Sequence, residues 1–295
     1  MELLDIERSL TKKFKRKIFS KFVRAIKDFD LIQDGDVIGV CISGGKDSFL
    51  LAKCFQELKR HRKIDFELKF IVMDPGYALE NLKKIKSNAK KLDIPIEIFK
   101  SDIFEVIHKS DMKSACYLCA RMRRGYLYSK AKALGCNKIA LGHHFNDVIE
   151  TAMMNILYNG VFGGMLPILK SDNFENMKLI RPLYYVKEDD IKAWAKYNEL
   201  SFLDCACLVT KKSLGKRREV KELIASLVKE NKNADVNILN SLSNVNISTI
   251  NGYIDDENIH HDLVKKEEKF LLFFFFCFNY SISRATINCL YYFFF

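Results

Sequence analysis

The chain has 295 residues, with 48 lysines and arginines against 37 acidic residues, and its formal net charge of +11 favours a polyanionic partner. A hydrophobic fraction of 48% is enough to build a core, which excludes a wholly disordered protein. Runs of about 20 apolar residues and a signal-peptide layout are both missing, so the sequence predicts a cytoplasmic protein without a membrane segment.

The first predicted element is a basic amphipathic helix within residues 8–30. Leu10, Phe14, Ile18 and Phe22 recur every four residues and form its apolar face. Lysines and arginines crowd the rest of its surface, which either is simply solvated or contacts phosphates. Residues 1–30 are therefore predicted to form an N-terminal basic helical segment.

Short apolar, β-branched runs then alternate with helical patterns, which predicts a parallel sheet covered on both faces. The predicted strands are 37–43, 68–73, 94–99 and 138–142, and the helices are 49–60, 79–92, 120–134, 147–158, 188–198 and 219–228. The expected fold is a doubly wound, Rossmann-like α/β domain over 31–230, with helical additions at its C-terminal end. Its ligand site should lie at the carboxyl ends of the strands.

Residues 231–295 differ in composition from the rest of the chain. The segment begins Asn/Ser-rich without periodicity, and its last 26 residues hold nine of the 23 phenylalanines. Their longest apolar run is too short to span a membrane. The sequence predicts a poorly ordered tail that the folded domain does not need.

The most specific local signal is the run Ser-Gly-Gly-Lys-Asp-Ser over 43–48, between the first strand and a helix. Glycines let the backbone approach a ligand closely, and a helix start offers free N–H groups with a positive dipole end, as phosphate binding requires. Lys46 adds a positive charge and Asp47 can hold Mg²⁺. The alternative is a tight turn without a ligand.

A second polar loop, Gly142-His-His-Phe-Asn-Asp147, follows the fourth strand and opens another helix. His143 is predicted to face the nucleotide, and Asp147 to coordinate Mg²⁺ or orient the substrate. The predicted catalytic residues are Lys46, Asp47 and Asp147. The predicted nucleotide-binding residues are Ser43, Gly44, Gly45, Lys46, Asp47, Ser48, Asp74, Gly142 and His143.

Four of the nine cysteines form pairs. Cys116 and Cys119 make a CxxC motif ahead of an arginine-rich stretch, and Cys205 and Cys207 make a CxC motif nearly 90 residues later. Spacing alone leaves zinc, an iron–sulfur cluster, a redox disulfide and free thiols open. Three cysteine ligands leave a metal position open for chemistry, whereas four close it.

The loop over 43–48 resembles that of the PP-loop ATP pyrophosphatases, which implies an adenine nucleotide alpha hydrolase-like fold and ATP cleavage between the α and β phosphates. Together with CYLCARMRRGYLY, LGHHFNDVIETAMMNILYNG and IRPLYYVKEDDI, it resembles the tRNA 2-thiocytidine synthetases (the TtcA group) from about residue 8 to 228. That resemblance implies a [4Fe-4S] cluster held by Cys116, Cys119 and either Cys205 or Cys207. Cys205 is favoured, although the group often has CxxC there.

The resemblance implies that ATP adenylylates the C2 oxygen of an anticodon-loop cytidine, which sulfur then replaces. The expected cofactors are ATP, Mg²⁺ and the cluster. The expected partners are tRNA and a sulfur donor, either a cysteine desulfurase or free sulfide, and a homodimer is left open. The alternatives are uridine thiolation, a tRNA-lysidine synthetase, a small-molecule amidating synthetase and a non-catalytic zinc-containing RNA-binding protein.

Overall fold

The structure of the protein is a computed structural model that describes residues 1–101, 115–203 and 210–264, with the side chains of 115–121, 123 and 210–214 left aside. The chain divides into two compact units, Met1–Ser243 and the residues from Asn244 onward. The Phe-rich end of the sequence lies outside the described residues. In the described ranges no helix combines the length and the apolar character that crossing a membrane requires.

The first unit contains a six-stranded sheet flanked by helices. Its strands are β1 (Asp36–Cys41), β2 (Phe66–Asp74), β3 (Ile96–Lys100), β4 (Lys138–Ala140), β5 (Ile168–Lys170) and β6 (Lys178–Ile180). Its helices are α1 (Leu3–Thr11), α2 (Ser20–Asp28), α3 (Lys46–Arg60), α4 (Leu79–Lys91), α5 (Ala115–Ala133), α6 (Phe145–Met154), α7 (Glu188–Tyr197), α8 (Thr210–Glu230) and α9 (Ala234–Ser241). The second unit has a short antiparallel pair, β7 (Gly252–Ile254) and β8 (His260–Asp262).

The strand order in the large sheet is β3-β2-β1-β4-β6-β5. All neighbours are parallel except β5, which pairs antiparallel with β6 at the edge. Chain order reverses at β1, which has β2 on one side and β4 on the other, so a ligand crevice is expected at the carboxyl ends of these strands. The predicted doubly wound α/β fold is confirmed, with an antiparallel edge that the sequence pattern does not predict.

The N-terminal helices belong to the same core as the sheet. Ile18 and Phe22 are fully buried, and Phe22 packs edge-on against Phe55 of α3. A π-helical turn over Lys15–Phe19 joins α1 to α2 and buries this apolar face. Most lysines and arginines of the segment remain exposed, so the basic surface predicted for it faces solvent. Lys21 is half-buried beside Asp190.

The first unit continues past the predicted boundary at residue 230. The sequence predicts poor order from residue 231, whereas α9 packs against α6 and α8. Leu239 of α9 is buried, and Asp235 accepts a hydrogen bond from Lys187. The eight residues of α9 include two asparagines and four apolar residues, of which Leu239 and Ile238 pack on the domain and Val236 is exposed. A helix this short gives no periodic signal in the sequence.

Candidate active site

The turn between β1 and α3 needs a glycine at position 44. Gly44 has φ +91°, and a Cβ built on it would lie 2.8 Å from Leu203 Cδ1 and 2.9 Å from Ile85 Cγ1. The amide of Leu203 donates a hydrogen bond to the Gly44 carbonyl at 3.1 Å. The loop is therefore clamped from two sides, and its remaining surface faces the carboxyl edge of the sheet.

The hydroxyls of the loop stabilise its backbone. Ser48 Oγ donates to the carbonyl of Gly45 at 2.9 Å and accepts from the amide of Ser43 at 3.2 Å. Gly45 occupies the N-cap of α3 and offers no side chain to its amides. The start of α3 thus presents N–H groups and the positive end of its dipole, as a phosphate site requires.

Lys46 lies between two carboxylates. Its Nζ is 3.2 Å from Asp47 Oδ2 and 3.3 Å from Glu188 Oε1, at the first turn of α7. Burial acts to lower the pKa of Lys46, but the two carboxylates outweigh it and the pKa is raised. The ammonium therefore stays charged and lies where it can meet a phosphate at the loop.

The carboxylate of Glu188 forms ion pairs with three lysines. Besides Lys46, it contacts Lys192 at 3.0 Å and Lys221 of α8 at 2.6 Å. Burial acts to raise the pKa of Glu188, but hydrogen bonds from Lys221 and Lys192 and the charge of Lys46 lower it to about 2. Glu188 is a site residue that the sequence analysis missed. The sequence signal for it is the acidic run after Lys187, but acidic residues are also common in the first turn of any helix, so the run alone does not indicate a site.

The stability contributed by Glu188 is expected to depend on pH. Its folded-state pKa of about 2 lies below the ordinary 4.5, so the contribution is complete above about pH 4.5 and is lost as pH falls towards 2. The free energy of unfolding of the wild type is therefore expected to exceed that of Glu188→Gln most at neutral pH, with the margin closing in acid. Denaturant titrations at several pH values measure it.

The matched control is Asp189→Asn, because Asp189 is the next residue and its side chain is 94% exposed. This variant is expected to follow the wild type at every pH. A margin for Glu188→Gln that stays constant from neutral pH to about pH 2 would contradict an ion-paired Glu188.

The loop between β4 and α6 packs directly on the start of α3. A Cβ on Gly142 would lie 3.1 Å from the carbonyl carbon of Asp47 and 3.1 Å from the amide of Ser48. The two predicted polar loops therefore meet at one edge of the sheet. His144, and not His143, is the histidine next to the phosphate loop, with its Nε2 at 3.9 Å from Asp47 Oδ1.

His143 instead forms a half-buried pair with Arg181. Arg181 Nε donates to His143 Nδ1 at 3.3 Å. Burial lowers the pKa of His143 to about 4; the charge of Asp147 opposes this shift, and the charges of Arg181 and Arg217 add to it. The imidazole is therefore neutral at pH 7 and serves as a hydrogen-bond acceptor in this arrangement.

Asp147 has both carboxylate oxygens engaged. Oδ2 accepts from the backbone amide of His144 at 2.9 Å, which closes a capping box at the start of α6. Oδ1 accepts from Arg217 Nη2 at 2.5 Å, and Arg217 Nε also reaches Glu150 at 2.8 Å. Arg217 of α8 is therefore paired with two carboxylates. Arg217 and Asp147 are 70 positions apart in the chain, so no local sequence pattern predicts that they pair.

One buried polar atom at the loop has no hydrogen-bond partner among the described residues. Asp47 Oδ1 is buried and accepts no hydrogen bond there. A buried carboxylate oxygen without a partner is costly, so its position beside the phosphate loop fits a cation that would arrive with a nucleotide. Within the described ranges no three His, Cys, Asp or Glu side chains converge on one point, so Mg²⁺ binding stays a prediction.

Asp74 lies at the same edge, at the end of β2. Its Oδ1 accepts from the amides of Gly76 at 3.0 Å and Tyr77 at 2.7 Å, and the side chain is buried. These bonds fix the turn that leaves β2. The structure thus gives Asp74 a turn-forming role at the site edge.

The predicted cluster cysteines lie outside the described part of the chain, Cys205 and Cys207 entirely and Cys116 and Cys119 in their side chains. Described residues next to them in the chain lie at or near the phosphate-loop edge of the sheet. Leu203 is bonded to that loop, and Met122, one helical turn after Cys119, packs against Met73 near the carboxyl end of β2.

Three other cysteines, Cys41, Cys54 and Cys136, are buried free thiols within the hydrophobic core. Burial raises the pKa of Cys41 to about 12 and that of Cys136 to about 11. A thiol with such a pKa is protonated at pH 7, and a protonated thiol is a poor metal ligand.

Comparison with known proteins identifies relatives of this arrangement. The family described as "PP-loop domain" matches residues 10–207. The tRNA-cytidine(32) 2-sulfurtransferase of Geobacter sulfurreducens is 37% identical over 232 residues, covering 78% of this chain and 90% of that protein. The protein of the same name from Anaeromyxobacter dehalogenans is 34% identical over 253 residues, covering 85% of each.

A solved structure shares the fold. The U34-tRNA thiolase NcsA from Methanococcus maripaludis, solved with its [4Fe-4S] cluster, superposes with a TM-score of 0.58. The superposition covers 76% of this chain and 76% of that one, at 21% sequence identity. At that identity the similarity shows a common architecture.

Proposed function

Since this chain belongs to the PP-loop family and resembles tRNA-cytidine(32) 2-sulfurtransferases over most of its length, we propose that it is an ATP-dependent tRNA sulfurtransferase acting in the cytoplasm. The proposed reaction replaces the C2 oxygen of an anticodon-loop cytidine by sulfur and releases AMP and pyrophosphate. The observation that carries the proposal is the hydrogen bond between the Leu203 amide and the Gly44 carbonyl. It attaches the chain just before the second cysteine pair to the phosphate loop.

The first step is activation of the C2 oxygen. That oxygen attacks the α-phosphate of ATP, the bond between the α-phosphate and the bridging oxygen breaks, and pyrophosphate leaves. The amides at the start of α3 and the ammonium of Lys46 are positioned to stabilise the charge on the leaving group. Asp47 Oδ1, which accepts no hydrogen bond from the described residues, would hold the Mg²⁺ that accompanies the nucleotide.

The second step is substitution at C2. A sulfide attacks the ring carbon, and AMP leaves with the original oxygen. Cys116, Cys119 and one of Cys205 or Cys207 would hold a [4Fe-4S] cluster, because cysteine thiolates are the ligands that such a cluster takes. The cluster, when bound, would supply an iron without a protein ligand on which the sulfide is presented. The expected sulfur donor is free sulfide, or a cysteine desulfurase acting with a thiol reductant, because the sulfur of its persulfide must gain two electrons to become sulfide.

In both steps the fold would contribute by holding the cysteine-bearing segments close to the phosphate loop. Leu203 touches the phosphate loop, and two residues of extended chain, the separation of Leu203 and Cys205, span at most about 7 Å. Met122 brings the start of α5 to the end of β2 at the same sheet edge. Activated carbon and sulfide would then meet in one crevice, which makes the attack effectively intramolecular.

The test is nucleoside analysis of tRNA from cells with and without this protein. Loss of 2-thiocytidine on deletion, and its return with the wild-type chain, is the expected result. Loss of a thiouridine instead would assign the same chemistry to another base. An unchanged set of thiolated nucleosides would overturn the proposal. The matched complementation control is Lys192→Ala, which removes a lysine that contacts Glu188 from outside the phosphate loop.

A further inference from the structure

An exposed apolar surface follows α6, the helix whose first turn carries Asp147. It consists of Ile156, Leu157, Tyr158, Val161 and Phe162, which are 40–51% exposed. We call these five residues the apolar platform. Single exposed apolar residues are ordinary, whereas five within seven positions mark an interaction surface.

The platform is held in a defined conformation. Asn155 Nδ2 donates to the carbonyl of Gly163 at 2.8 Å, and the carbonyl of Asn155 accepts from the amide of Val161 at 3.1 Å. Gly164 then approaches Leu242 so closely that a Cβ on it would lie 2.6 Å from Leu242 Cδ1. The apolar side chains are therefore displayed by a closed turn tied at both ends.

The platform is also connected to the candidate active site. Arg181, which donates to His143, also donates to the carbonyl of Leu166 directly after the platform loop. On the other side, Lys216 Nζ lies 4.7 Å from the centre of the Tyr158 ring, and the next residue, Arg217, bonds Asp147. One helix, α8, thus contacts both the site and the platform.

The charge of α8 selects the kind of partner. Its first half, TKKSLGKRRE, carries five basic residues and one acidic residue. The acidic one, Glu219, accepts from Tyr158 Oη at 2.9 Å, and Arg218 pairs with Glu222 at 2.9 Å. A second copy of the chain on a two-fold axis would bring this basic helix against itself. A single-stranded nucleic acid satisfies both parts of the surface, because its bases stack on aromatic rings and its phosphates meet lysines.

From these contacts we infer that the platform receives an unpaired part of the tRNA anticodon loop, with a base stacked on Tyr158 or Phe162 and a phosphate near Lys216. The inference rests on the proposed function and names the surface that holds its substrate. Tyr158 follows Asp147 by 11 residues, roughly 16 Å of helical rise. The platform therefore holds a neighbour of the reacting cytidine and acts by positioning the loop.

The experiment measures binding of the full-length protein to an unmodified anticodon stem–loop at several salt concentrations. Tyr158→Ala and Phe162→Ala are each expected to weaken binding by about five-fold or more, with an unchanged salt slope, because stacking releases no counterions. Tyr158→Phe keeps the ring and is expected to bind within about two-fold of the wild type. Lys216→Ala is expected to reduce the salt slope by about one, as loss of a phosphate contact does.

The matched control is Tyr197→Ala. Tyr197 is 42% exposed and also lies beneath a lysine, Lys13, at 3.5 Å, but it stands at the far end of α7 from Glu188. Wild-type affinity in this variant is expected, and thermal unfolding of every variant confirms that it folds.

Two results would overturn the inference alone: normal RNA binding by both alanine variants of the platform, or a wild-type dimer that Tyr158→Ala dissociates with RNA affinity unchanged. A wild-type protein that binds no tRNA would overturn the proposed function as well.

Discussion

Replacing Lys46 by alanine is expected to lower the rate of tRNA-dependent pyrophosphate release by about 100-fold or more. Lys46 is the cation of the phosphate loop, and removing a positioned donor from a developing negative charge usually costs two to three orders of magnitude. The fold is expected to survive, because Glu188 keeps Lys192 at 3.0 Å and Lys221 at 2.6 Å. The measurement is pyrophosphate release with tRNA present, alongside the thermal unfolding midpoint.

Lys192→Ala is the matched control for Lys46→Ala. Lys192 contacts the same carboxylate, but its side chain is 50% exposed and lies outside the loop. Near wild-type release is expected from it, since an exposed ion pair contributes little. Equal losses in the two variants would show that the charge balance of Glu188, and not contact of Lys46 with phosphate, governs the rate.

The sheet and its loops could be predicted from the sequence because each signal is local. The apolar run before Gly44 and the glycines within the loop determine a strand, a turn and a helix start without reference to distant residues. The edge pair β5 and β6 has three residues in each strand, too few for a periodic pattern to be visible. The helix α9 has only eight residues and is likewise too short for a periodic pattern to be visible. It packs on α6 and α8, and these contacts cannot be seen in its own sequence.

The sequence predicts that the two polar loops lie at the carboxyl edge of the sheet, but it does not predict which side chains they contact. Adjacency of the loops containing Lys46 and Asp147 follows from the strand order, because β1 and β4 are neighbours. The contacts of Lys46 with Glu188 and of Arg217 with Asp147 join residues far apart in the chain. They depend on how α7 and α8 pack, which no short motif encodes. The choice between His143 and His144 likewise depends on a backbone turn.

Of the four paired cysteines, three are expected to be essential for the cluster and one to be dispensable. Serine at Cys116, Cys119 or Cys205 is expected to reduce cluster iron to near background and to abolish thiolation, whereas serine at Cys207 leaves both near wild type. The reason is valence: presenting sulfide requires an iron without a protein ligand, so only three cysteines can bind a cubane of four irons. Cys205 is favoured because it stands nearer in the chain to Leu203, which contacts the phosphate loop.

Iron and thiolation are measured on anaerobically reconstituted protein. Cys136→Ala is the matched control, because burial raises the pKa of that thiol to about 11 and keeps it protonated, so full iron content is expected. Inactivity of the Cys207 variant with a normal Cys205 variant would exchange the two ligands and leave the scheme intact. Four equally essential cysteines in a wild-type protein that contains zinc and no iron would contradict it, because a four-thiolate zinc site is closed to substrate and sulfide alike.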